Sequence, residues 1–387
     1  MTHSIRLPAL LEIGGGALNN AATLLASLGV SKPCIITDPM MVELGHADKL
    51  LNSLATKGIT AGLFSDTLPE PTDSSLLPAV SAVTMGNYDG LLALGGGSVI
   101  DSAKAIAILV THGGHIRDYK VPVVVDKQGL PLIAIPTTAG TGSESTRFTV
   151  ITDTANNEKM LCMGRGFLPT AAIIDYHLTL TLPPRVTADT GLDALTHAIE
   201  AFVSKKANSF SDQQALAALR LIGPNIRNVF HQPNNHLARE SMMLGATLAG
   251  MAFSNASVAL VHGMSRPLGT HFHVPHGLSN AMLLPSLTEF SLSFAANKYA
   301  ECAIAMGLCE AKTSIEAAHN CLINELCALN KELSVPSPKA WGIDKTKYFE
   351  LLPVMAEQAQ ASGSPANNPK EPSLEEMCTL YTKAWDA

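Results

Sequence analysis

The chain has 387 residues, of which 47% are hydrophobic and 15% are charged. This composition is typical of a globular protein of about two domains with a large interior, and it argues against disorder. The formal net charge of -7, with no basic cluster beyond Lys205-Lys206, argues against nucleic acid or a membrane as a partner and favours small ligands.

The cysteines and the N-terminal residues indicate the compartment. The seven cysteines are odd in number and contain no Cys-x-x-Cys pair, which favours reduced thiols over a disulfide scaffold. The N-terminal segment lacks the charged and then apolar layout of a signal peptide. No uninterrupted apolar stretch reaches about 18 residues, the length that a membrane span needs. We therefore expect a cytoplasmic protein.

The first half of the chain, up to about residue 180, alternates short β-rich runs with helix-like segments. This alternation is typical of an α/β domain. Because the runs are short and apolar, we expect a Rossmann-like, mainly parallel sheet that is covered on both faces. The predicted strands cover residues 34–37, 61–64, 90–94, 132–135, 148–152 and 171–175, and the predicted helices cover residues 17–28, 50–57, 76–85 and 98–110.

The second half begins where the β signal fades, after Leu182-Pro183-Pro184. We therefore predict an α/β dinucleotide-binding domain over residues 1–182 and an all-α metal-binding domain over residues 183–387. The predicted helices of the second domain cover residues 188–203, 210–225, 237–252, 280–289, 294–306, 314–329 and 374–384.

Three glycines connect the predicted strand 90–94 to a predicted helix, in the run Gly95-Gly96-Gly97-Ser98. We expect Ser98 to cap this helix together with Asp101, three residues further on. The glycines would let backbone N–H groups approach a diphosphate at the positive end of the helix. A tight turn that needs positive φ is the alternative explanation.

A second polar loop follows the predicted strand 132–135 and offers four hydroxyl groups, on Thr137, Thr138, Thr141 and Ser143. Ligands of open α/β sheets bind beyond the carboxyl ends of the strands, so we expect the two loops to face the same crevice. An ordinary polar turn is the alternative.

Asp38 follows the predicted strand 34–37, where a carboxylate can bind an adenosine ribose and repel a 2′-phosphate. A helix-capping aspartate is the simpler explanation. The usual Gly-x-Gly-x-x-Gly does not occur after a strand, and the run Glu12-Ile13-Gly14-Gly15-Gly16 predicts a hairpin or a turn.

Asp193 and His197 stand four residues apart in a helix-forming run, which places both side chains on one helix face. His262 and His276, each followed by glycine, would complete an Asp/His/His/His set that suits a borderline divalent transition metal. A capping or surface pair, with His-Gly pairs arising by chance, is the alternative. The apolar surroundings of Asp193 and His197 favour the metal, because buried polar groups need partners.

Together these motifs resemble the iron-dependent (group III) alcohol dehydrogenase family over nearly the whole chain. The family's order and spacing are kept in Gly95-Gly96-Gly97-Ser98 with Asp101 and Lys104, in residues 137–144 and 191–200, in His262-Gly263-Met264, in Pro267-Leu268-Gly269 and in Pro275-His276-Gly277. The resemblance implies the dehydroquinate synthase-like fold, a catalytic cleft between the two domains, and a homodimer or larger assembly.

The resemblance also implies ligands and residue roles. Fe²⁺, with Zn²⁺ as a possibility, would be held by Asp193, His197, His262 and His276. Asp38 would favour NAD over NADP, and Lys159 would reach a ribose hydroxyl. Phe148 and Phe253 are candidate pocket walls, although ordinary core aromatics explain them as well. The other expected cofactor contacts are Gly95, Gly96, Gly97, Ser98, Asp101, Thr137, Thr138 and Thr141.

Two residues depart from the family pattern, which often has His in place of Arg266 and Pro in place of Tyr176. If its segment is helical, Arg266 lies one turn after His262 and faces the catalytic cleft. We expect Arg266 to pair with a protein carboxylate such as Glu200, and recognition of a substrate carboxylate is the alternative. Tyr176 is expected to affect only the domain hinge.

The implied reaction is reversible hydride transfer between a small primary alcohol or diol and NAD⁺, with the metal ion acting as a Lewis acid on the alcohol oxygen. His271 or His273 would relay the proton, unless these are solvent-exposed loop residues. The alternatives are a hydroxy-acid dehydrogenase of the 4-hydroxybutyrate type, a glycerol dehydrogenase of the same superfamily, and a non-catalytic protein that binds nucleotide and metal.

Overall fold

The computed structural model describes residues 2–156 and 158–386. These residues form two compact units. Ile5–Thr181 form the first unit, and the chain from Leu182 onward forms the second, together with residues 2–4. The boundary falls where the chain changes from mixed strands and helices to helices.

A parallel sheet of six strands organises the first unit, as the sequence predicts. The central strands are buried along their whole length, because helices cover both faces of such a sheet. Across the sheet, the strands lie in the order β1 (Leu10–Ile13), β8 (Ala171–Ile174), β5 (Leu132–Pro136), β4 (Gly90–Gly95), β2 (Pro33–Ile36) and β3 (Gly62–Phe64).

Helices pack their apolar faces against this sheet. Leu25, Leu50 and Leu54 from the helices form one buried core with Ile35 and Leu92 from the strands. The α-helices of this unit are α1 (Ala21–Ser27), α2 (Pro39–Glu43), α3 (His46–Ala55), α4 (Asp73–Met85) and α5 (Gly97–His112).

One predicted strand lies outside the parallel sheet. Phe148–Asp153, here β6, pairs antiparallel with β7, Glu158–Met163, in a separate sheet of two strands. Alternate residues of β6 are buried, which is the pattern of a strand with one covered face. The prediction of a strand was therefore right, and its assignment to a mainly parallel sheet was wrong.

The run Gly14-Gly15-Gly16 forms a turn and not a hairpin, because β1 before it pairs parallel to β8. The Asp175 carboxylate at the end of β8 accepts hydrogen bonds from the N–H groups of Gly16 and Leu18. A Cβ on Gly15 would lie 2.8 Å from the Tyr176 ring, so glycine allows a close approach there.

The strand order of the sheet reverses between β2 and β4. From β2 the chain moves to β3 at one edge, and from β4 it moves through β5 and β8 toward the other edge. All these strands are parallel, so their carboxyl ends meet at the same side. Asp38 follows β2 and Gly96 follows β4, which places both at the topological switch point where α/β sheets bind ligands.

The second unit is helical, as predicted. Helix α6 (Pro184–Val203) is buried from Gly191 to Val203 without interruption and therefore lies at the centre of this unit. The helices are α6 (Pro184–Val203), α7 (Ser209–His231), α8 (His236–Asn255), α9 (Leu260–Phe272), α10 (His276–Ser291), α11 (Ala296–Ala305), α12 (Ile315–Glu332), α13 (Lys345–Glu350), α14 (Leu352–Ala361) and α15 (Leu374–Ala384).

Within the described residues, no single helix is long and apolar enough to cross a membrane. The helices α8 and α9 pass the same test of length and composition only as a pair, and the chain bends by 102° between them.

Candidate metal centre and nucleotide-binding loops

Four predicted metal ligands come together in the helical unit. Asp193 and His197 lie on α6, His262 lies on α9, and His276 is the first residue of α10. Their ligand atoms all lie within 4.8 Å of one another. The distance from Asp193 Oδ1 to the histidine Nε2 atom is 3.9 Å for His197, 3.5 Å for His262 and 3.7 Å for His276.

The three distances from Asp193 Oδ1 and this donor set fit one transition-metal ion. Nitrogen and oxygen ligands lie about 2.0–2.2 Å from a zinc-sized ion, so two ligands of the same ion lie at most about 4.4 Å apart. Three imidazoles and one carboxylate match the preference of iron and zinc better than that of calcium or magnesium.

The two glycines that follow histidine ligands permit close helix packing. A Cβ on Gly277 would lie 2.3 Å from the carbonyl oxygen of Asp189, so only glycine lets α10 begin directly against α6. A Cβ on Gly263 would lie 2.7 Å from the Pro365 ring. The His-Gly pairs therefore have a packing reason, and chance is not needed to explain them.

Glu200, one turn after His197 on α6, orients His262, the third candidate ligand. Its carboxylate accepts a hydrogen bond of 2.7 Å from Nδ1 of His262 and further ones from the N–H groups of Ala259 and Val261, at 2.8 and 2.5 Å. Because Nδ1 carries the proton, Nε2 of His262 presents its lone pair to the cluster. This carboxylate–histidine arrangement is common behind metal ligands.

Asn280, one turn after His276 on α10, completes the polar cluster. Its Nδ2 donates to Asp193 Oδ1 at 2.7 Å and lies 3.2 Å from Nε2 of His262 and 3.3 Å from that of His276. Its Oδ1 is buried and has no hydrogen-bond partner among the residues that the structure describes. An unsatisfied amide oxygen beside four ligand atoms fits a site that holds a cation.

Electrostatics keep the central carboxylate ionised. Burial raises the pKa of Asp193, but the charges of His197 and His276 and the hydrogen bond of His262 outweigh burial and hold this pKa well below its usual range. Burial lowers the pKa of His262, and the hydrogen bonds and charges of Asp193 and Glu200 raise it above its usual value. The carboxylates thus attract positive charge to the cluster, which a divalent cation can supply.

The cluster is open on one side. The side chains of Asp193, His197 and His262 are at most 5% exposed, whereas that of His276 is 47% exposed. The Phe253 ring stacks on His197 with 4.3 Å between ring centroids, so Phe253 covers one of the four candidate ligands. A small molecule can therefore reach the cluster beside His276.

Arg266 lies on α9, so its segment is helical and the residue stands one turn after His262. The expected pairing with a protein acid was wrong for the residues that the structure describes, in which no carboxylate oxygen lies within 4.0 Å of the guanidinium and no hydrogen bond reaches it. Both oxygens of Glu200 already accept hydrogen bonds from Ala259, Val261 and His262.

The candidate proton-relay residues lie at the C-terminal end of α9. Nε2 of His271 lies 2.8 Å from Oε1 of Gln358, and the backbone carbonyl of His271 lies 3.4 Å from Nζ of Lys347. His273 is exposed and adopts a left-handed backbone conformation at the end of the helix. The relay role of either residue stays a prediction.

In the first unit, the two predicted nucleotide-binding loops lie side by side. Gly95 at the end of β4 is paired with Pro136 at the end of β5, and the N–H of Thr137 donates to the Gly95 carbonyl at 3.1 Å. Gly96 is the N-cap of α5, and a Cβ on Gly97 would lie 2.8 Å from the Thr141 side chain. Gly96 and Gly97 thus form the positive N-terminal end of α5.

Ser98 and Asp101 do not cap α5, and that expectation was wrong. Gly96 occupies the N-cap position, and the Ser98 hydroxyl donates to the carbonyl of Pro69. The Asp101 carboxylate accepts hydrogen bonds from Oγ of Ser143 and the N–H of Val150. These contacts were not predictable from spacing within the helix, because the partners lie about 30 to 50 residues away.

Lys104, which belongs to the same motif, is fully buried beneath the second loop. Its ammonium donates to Ser143, Thr146 and the carbonyl of Phe148. Burial lowers the pKa of Lys104 to about 8, against the opposing charges of Asp101 and Glu144. Lys104 and Asp101 therefore fix the shape of the loop that carries Thr137, Thr138 and Thr141.

Three other predicted cofactor residues have defined surroundings. Asp38 caps α2 by accepting a hydrogen bond of 2.9 Å from the N–H of Met41, as the simpler explanation expects. Lys159 lies on β7 with its ammonium 3.4 Å from Glu70. The buried Thr137 hydroxyl has no hydrogen-bond partner in the part of the chain that the structure describes. The cofactor roles of these residues stay predictions.

Two models of one protein family match the chain. The model described as iron-containing alcohol dehydrogenase matches residues 8–176, and the model described as the C-terminal part of the Fe-containing alcohol dehydrogenase family matches residues 187–385. Together they span nearly the whole sequence.

Individual proteins give the same picture. The chain is 34% identical to alcohol dehydrogenase 4 of Saccharomyces cerevisiae (strain YJM789), over 98% of both chains. It is 33% identical to the NAD-dependent methanol dehydrogenase of Bacillus methanolicus, again over 98% of both. Among solved structures, a 1,3-propanediol oxidoreductase superposes with a TM-score of 0.95 at 32% identity, over 99% of this chain and 100% of the other.

Proposed function

The chain belongs to the iron-containing alcohol dehydrogenase family and is an oxidoreductase of alcohols and aldehydes, and from this premise we propose that it transfers a hydride between a small primary alcohol or diol and NAD⁺ with the help of one divalent metal ion. The observation that carries the proposal is the buried cluster of Asp193, His197, His262 and His276, which is open beside His276.

In this proposal, the four side chains of the cluster hold Fe²⁺ or Zn²⁺. When bound, such an ion supplies Lewis acidity to the oxygen of the alcohol or aldehyde. Glu200 keeps Nε2 of His262 deprotonated and aimed at the cluster, because it accepts the Nδ1 proton at 2.7 Å. Asn280 holds the Asp193 carboxylate in place at 2.7 Å. We assign the catalytic proton transfer to His271 or to water.

We propose NAD(H) as the hydride carrier. The glycines at the start of α5 leave space for a diphosphate at the positive helix end, and Asp38 lies at the same switch point, where a ribose would be bound. The relative from Bacillus methanolicus is named for its dependence on NAD. A homodimer or larger assembly and a cytoplasmic location also belong to this proposal.

The test is a kinetic screen of anaerobically Fe²⁺-loaded protein. Short primary alcohols, diols and hydroxy acids are offered with NAD⁺, and the absorbance of NADH is followed. We expect turnover that is lost with chelator and regained with Fe²⁺ or Zn²⁺. Replacement of the exposed His236 by alanine is the control, and it should leave turnover as it is.

If the protein holds one metal ion and binds NADH and yet turns over no alcohol or aldehyde, that result would favour the non-catalytic alternative. Turnover in fully metal-free protein would also exclude the proposed role of the cluster.

A further inference from the structure

Arg266 is the cationic side chain nearest in sequence to the third metal ligand, on the same helix. His262 and Arg266 are separated by one turn of α9, so their side chains leave the helix on the same face, with Cβ atoms about 5–6 Å apart. His262 points its Nε2 into the metal cluster. Arg266 therefore leaves α9 on the face that presents His262 to the cluster, and its charge interacts with that of Glu200, the residue that orients His262.

The guanidinium is partly buried but has no protein partner in residues 2–156 and 158–386. Glu200 is the acid whose charge acts on it, and both Glu200 oxygens are used by the N-terminal turn of α9 and by the His262 ring. Removing part of a guanidinium from water without a hydrogen-bond partner costs free energy. A partly buried guanidinium without a protein partner can therefore bind an anionic group of a ligand.

The geometry points to a substrate with a carboxylate at the far end from its reacting carbon, and we propose that Arg266 binds this carboxylate. The inference rests on the proposed function and narrows its substrate class to short aldehydes and alcohols of the oxo-acid and hydroxy-acid type. A guanidinium presents two parallel N–H donors that match both oxygens of one carboxylate. Lysine lacks this fork, and a neutral side chain lacks the charge as well.

The reaction is balanced without a further reactant. A hydride leaves C4 of the dihydronicotinamide of NADH and bonds to the aldehyde carbon of a substrate such as 4-oxobutanoate, while a proton from solvent bonds to the aldehyde oxygen. The products are 4-hydroxybutanoate and NAD⁺. The carboxylate that Arg266 holds takes no part in bond making, so Arg266 determines specificity.

The first test compares 4-oxobutanoate with butanal, which has the same chain length and no charge. On wild-type protein with NADH, kcat/KM should be at least tenfold higher for 4-oxobutanoate. In Arg266→Met this ratio should fall by about ten- to a hundredfold, which is the range of one charge-assisted hydrogen-bonded pair. Arg266→Lys should fall between the two. Arg220→Met removes an equal charge at an exposed position of α7 and is the matched control.

The second test does not depend on turnover. Binding of 4-hydroxybutanoate and of 1-butanol to the purified protein is measured by titration calorimetry. We expect wild type and Arg220→Met to bind 4-hydroxybutanoate at least tenfold more tightly than 1-butanol, and Arg266→Met to lose this difference.

The outcomes separate the two proposals. If wild type reduces both aldehydes with equal kcat/KM, or if Arg266→Met keeps the wild-type ratio, the assignment to Arg266 is overturned while the proposed function stands. If neither aldehyde is reduced, the proposed function fails, and calorimetry alone then decides whether Arg266 selects a carboxylate. Equal binding of the acid and the alcohol by wild type would overturn the inference in either case.

Discussion

The two candidate sites are built from different parts of the chain. The metal cluster is made of side chains, since Asp193, His262 and His276 present ligand atoms from three helices. The candidate nucleotide-binding loops are made mainly of backbone, since Gly96 and Gly97 place no side chain at the N-terminal end of α5. The first kind of site is damaged by the loss of one functional group, whereas the second is damaged by the addition of one methyl group.

The largest effect is expected from the loss of a metal ligand. His262→Ala or His276→Ala should lower kcat by at least about a hundredfold, because even residues behind metal ligands account for about ten- to a hundredfold. Metal content should fall in parallel. NADH binding should survive, because the glycine loops belong to the other unit. Metal analysis, kinetics and NADH fluorescence are measured on the same preparation, and full metal occupancy with near-normal kcat would disprove the four-ligand assignment.

A smaller effect on the same cluster is expected from Glu200→Gln. The amide keeps the size of the side chain but cannot accept hydrogen bonds with both terminal atoms, and it leaves the N–H groups of Ala259 and Val261 and the His262 ring competing for one oxygen. Metal affinity should fall by about ten- to a hundredfold. Competition with a chelator measures it, and Glu240→Gln, at an exposed position of α8, is the control.

The glycine loop gives the opposite kind of test. A Cβ on Gly96 would have its nearest neighbour at 3.6 Å, so Gly96→Ala should fold normally. It should nevertheless weaken NADH binding by about tenfold, because the methyl group would stand where the backbone approaches the diphosphate. Metal content should stay unchanged. If Gly96→Ala bound NADH with unaltered affinity, the assignment of the diphosphate to this helix end would be wrong.

Gly97→Ala is the companion variant. Its Cβ would lie 2.8 Å from Thr141, so a repacking cost of about 1–3 kcal/mol should appear in the free energy of unfolding even without a nucleotide. Thermal and denaturant unfolding of the two variants side by side separates packing from binding. A less stable Gly96→Ala than Gly97→Ala would contradict this reading of the loop.

The sequence predicted the four side chains that cluster in the helical unit better than it predicted their surroundings. The spacing of Asp193 and His197 and the two His-Gly pairs were visible, whereas Glu200 and Asn280 were not assigned to the cluster. A signal for both existed. Glu200 follows Asp193 by seven residues, two turns along the same face of α6, and Asn280 follows His276 by four residues on α10. Polar residues at helical spacing from predicted ligands are therefore worth testing as their supports.

The strands and helices that were predicted correctly are those whose own residues show the pattern of a strand or a helix. The buried strands β2, β4, β5 and β8 were visible as short apolar runs. Most helices of the second unit were visible as long periodic runs, but α9, α13 and α14 were missed. Pairing partners were not visible, so β6 was assigned to the wrong sheet, and its partner β7 and the edge strand β1 were missed. The capping role of Ser98 and Asp101 failed for the same reason, because distant residues competed for their side chains.

The remaining predicted effect concerns the choice between NAD and NADP. One carboxylate oxygen of Asp38 accepts the N–H of Met41, which fixes the side chain at the end of β2 beside the switch point of the sheet. A 2′-phosphate placed there would meet a like charge in a partly desolvated site, at a cost of about 1–3 kcal/mol, or roughly ten- to a hundredfold.

Wild type should therefore prefer NAD, and Asp38→Gly should improve kcat/KM for NADP selectively. Asp38→Asn keeps a side-chain oxygen for the helix cap and removes the charge, so it separates the electrostatic effect from the loss of the cap. If the charge decides the preference, Asn and Gly should relax it to a similar extent, and only Gly should lower the thermal stability. A wild-type enzyme that uses NADP as well as NAD would leave Asp38 with the structural role of capping α2, and the nucleotide preference would then have to be set elsewhere in the loops that follow β4 and β5.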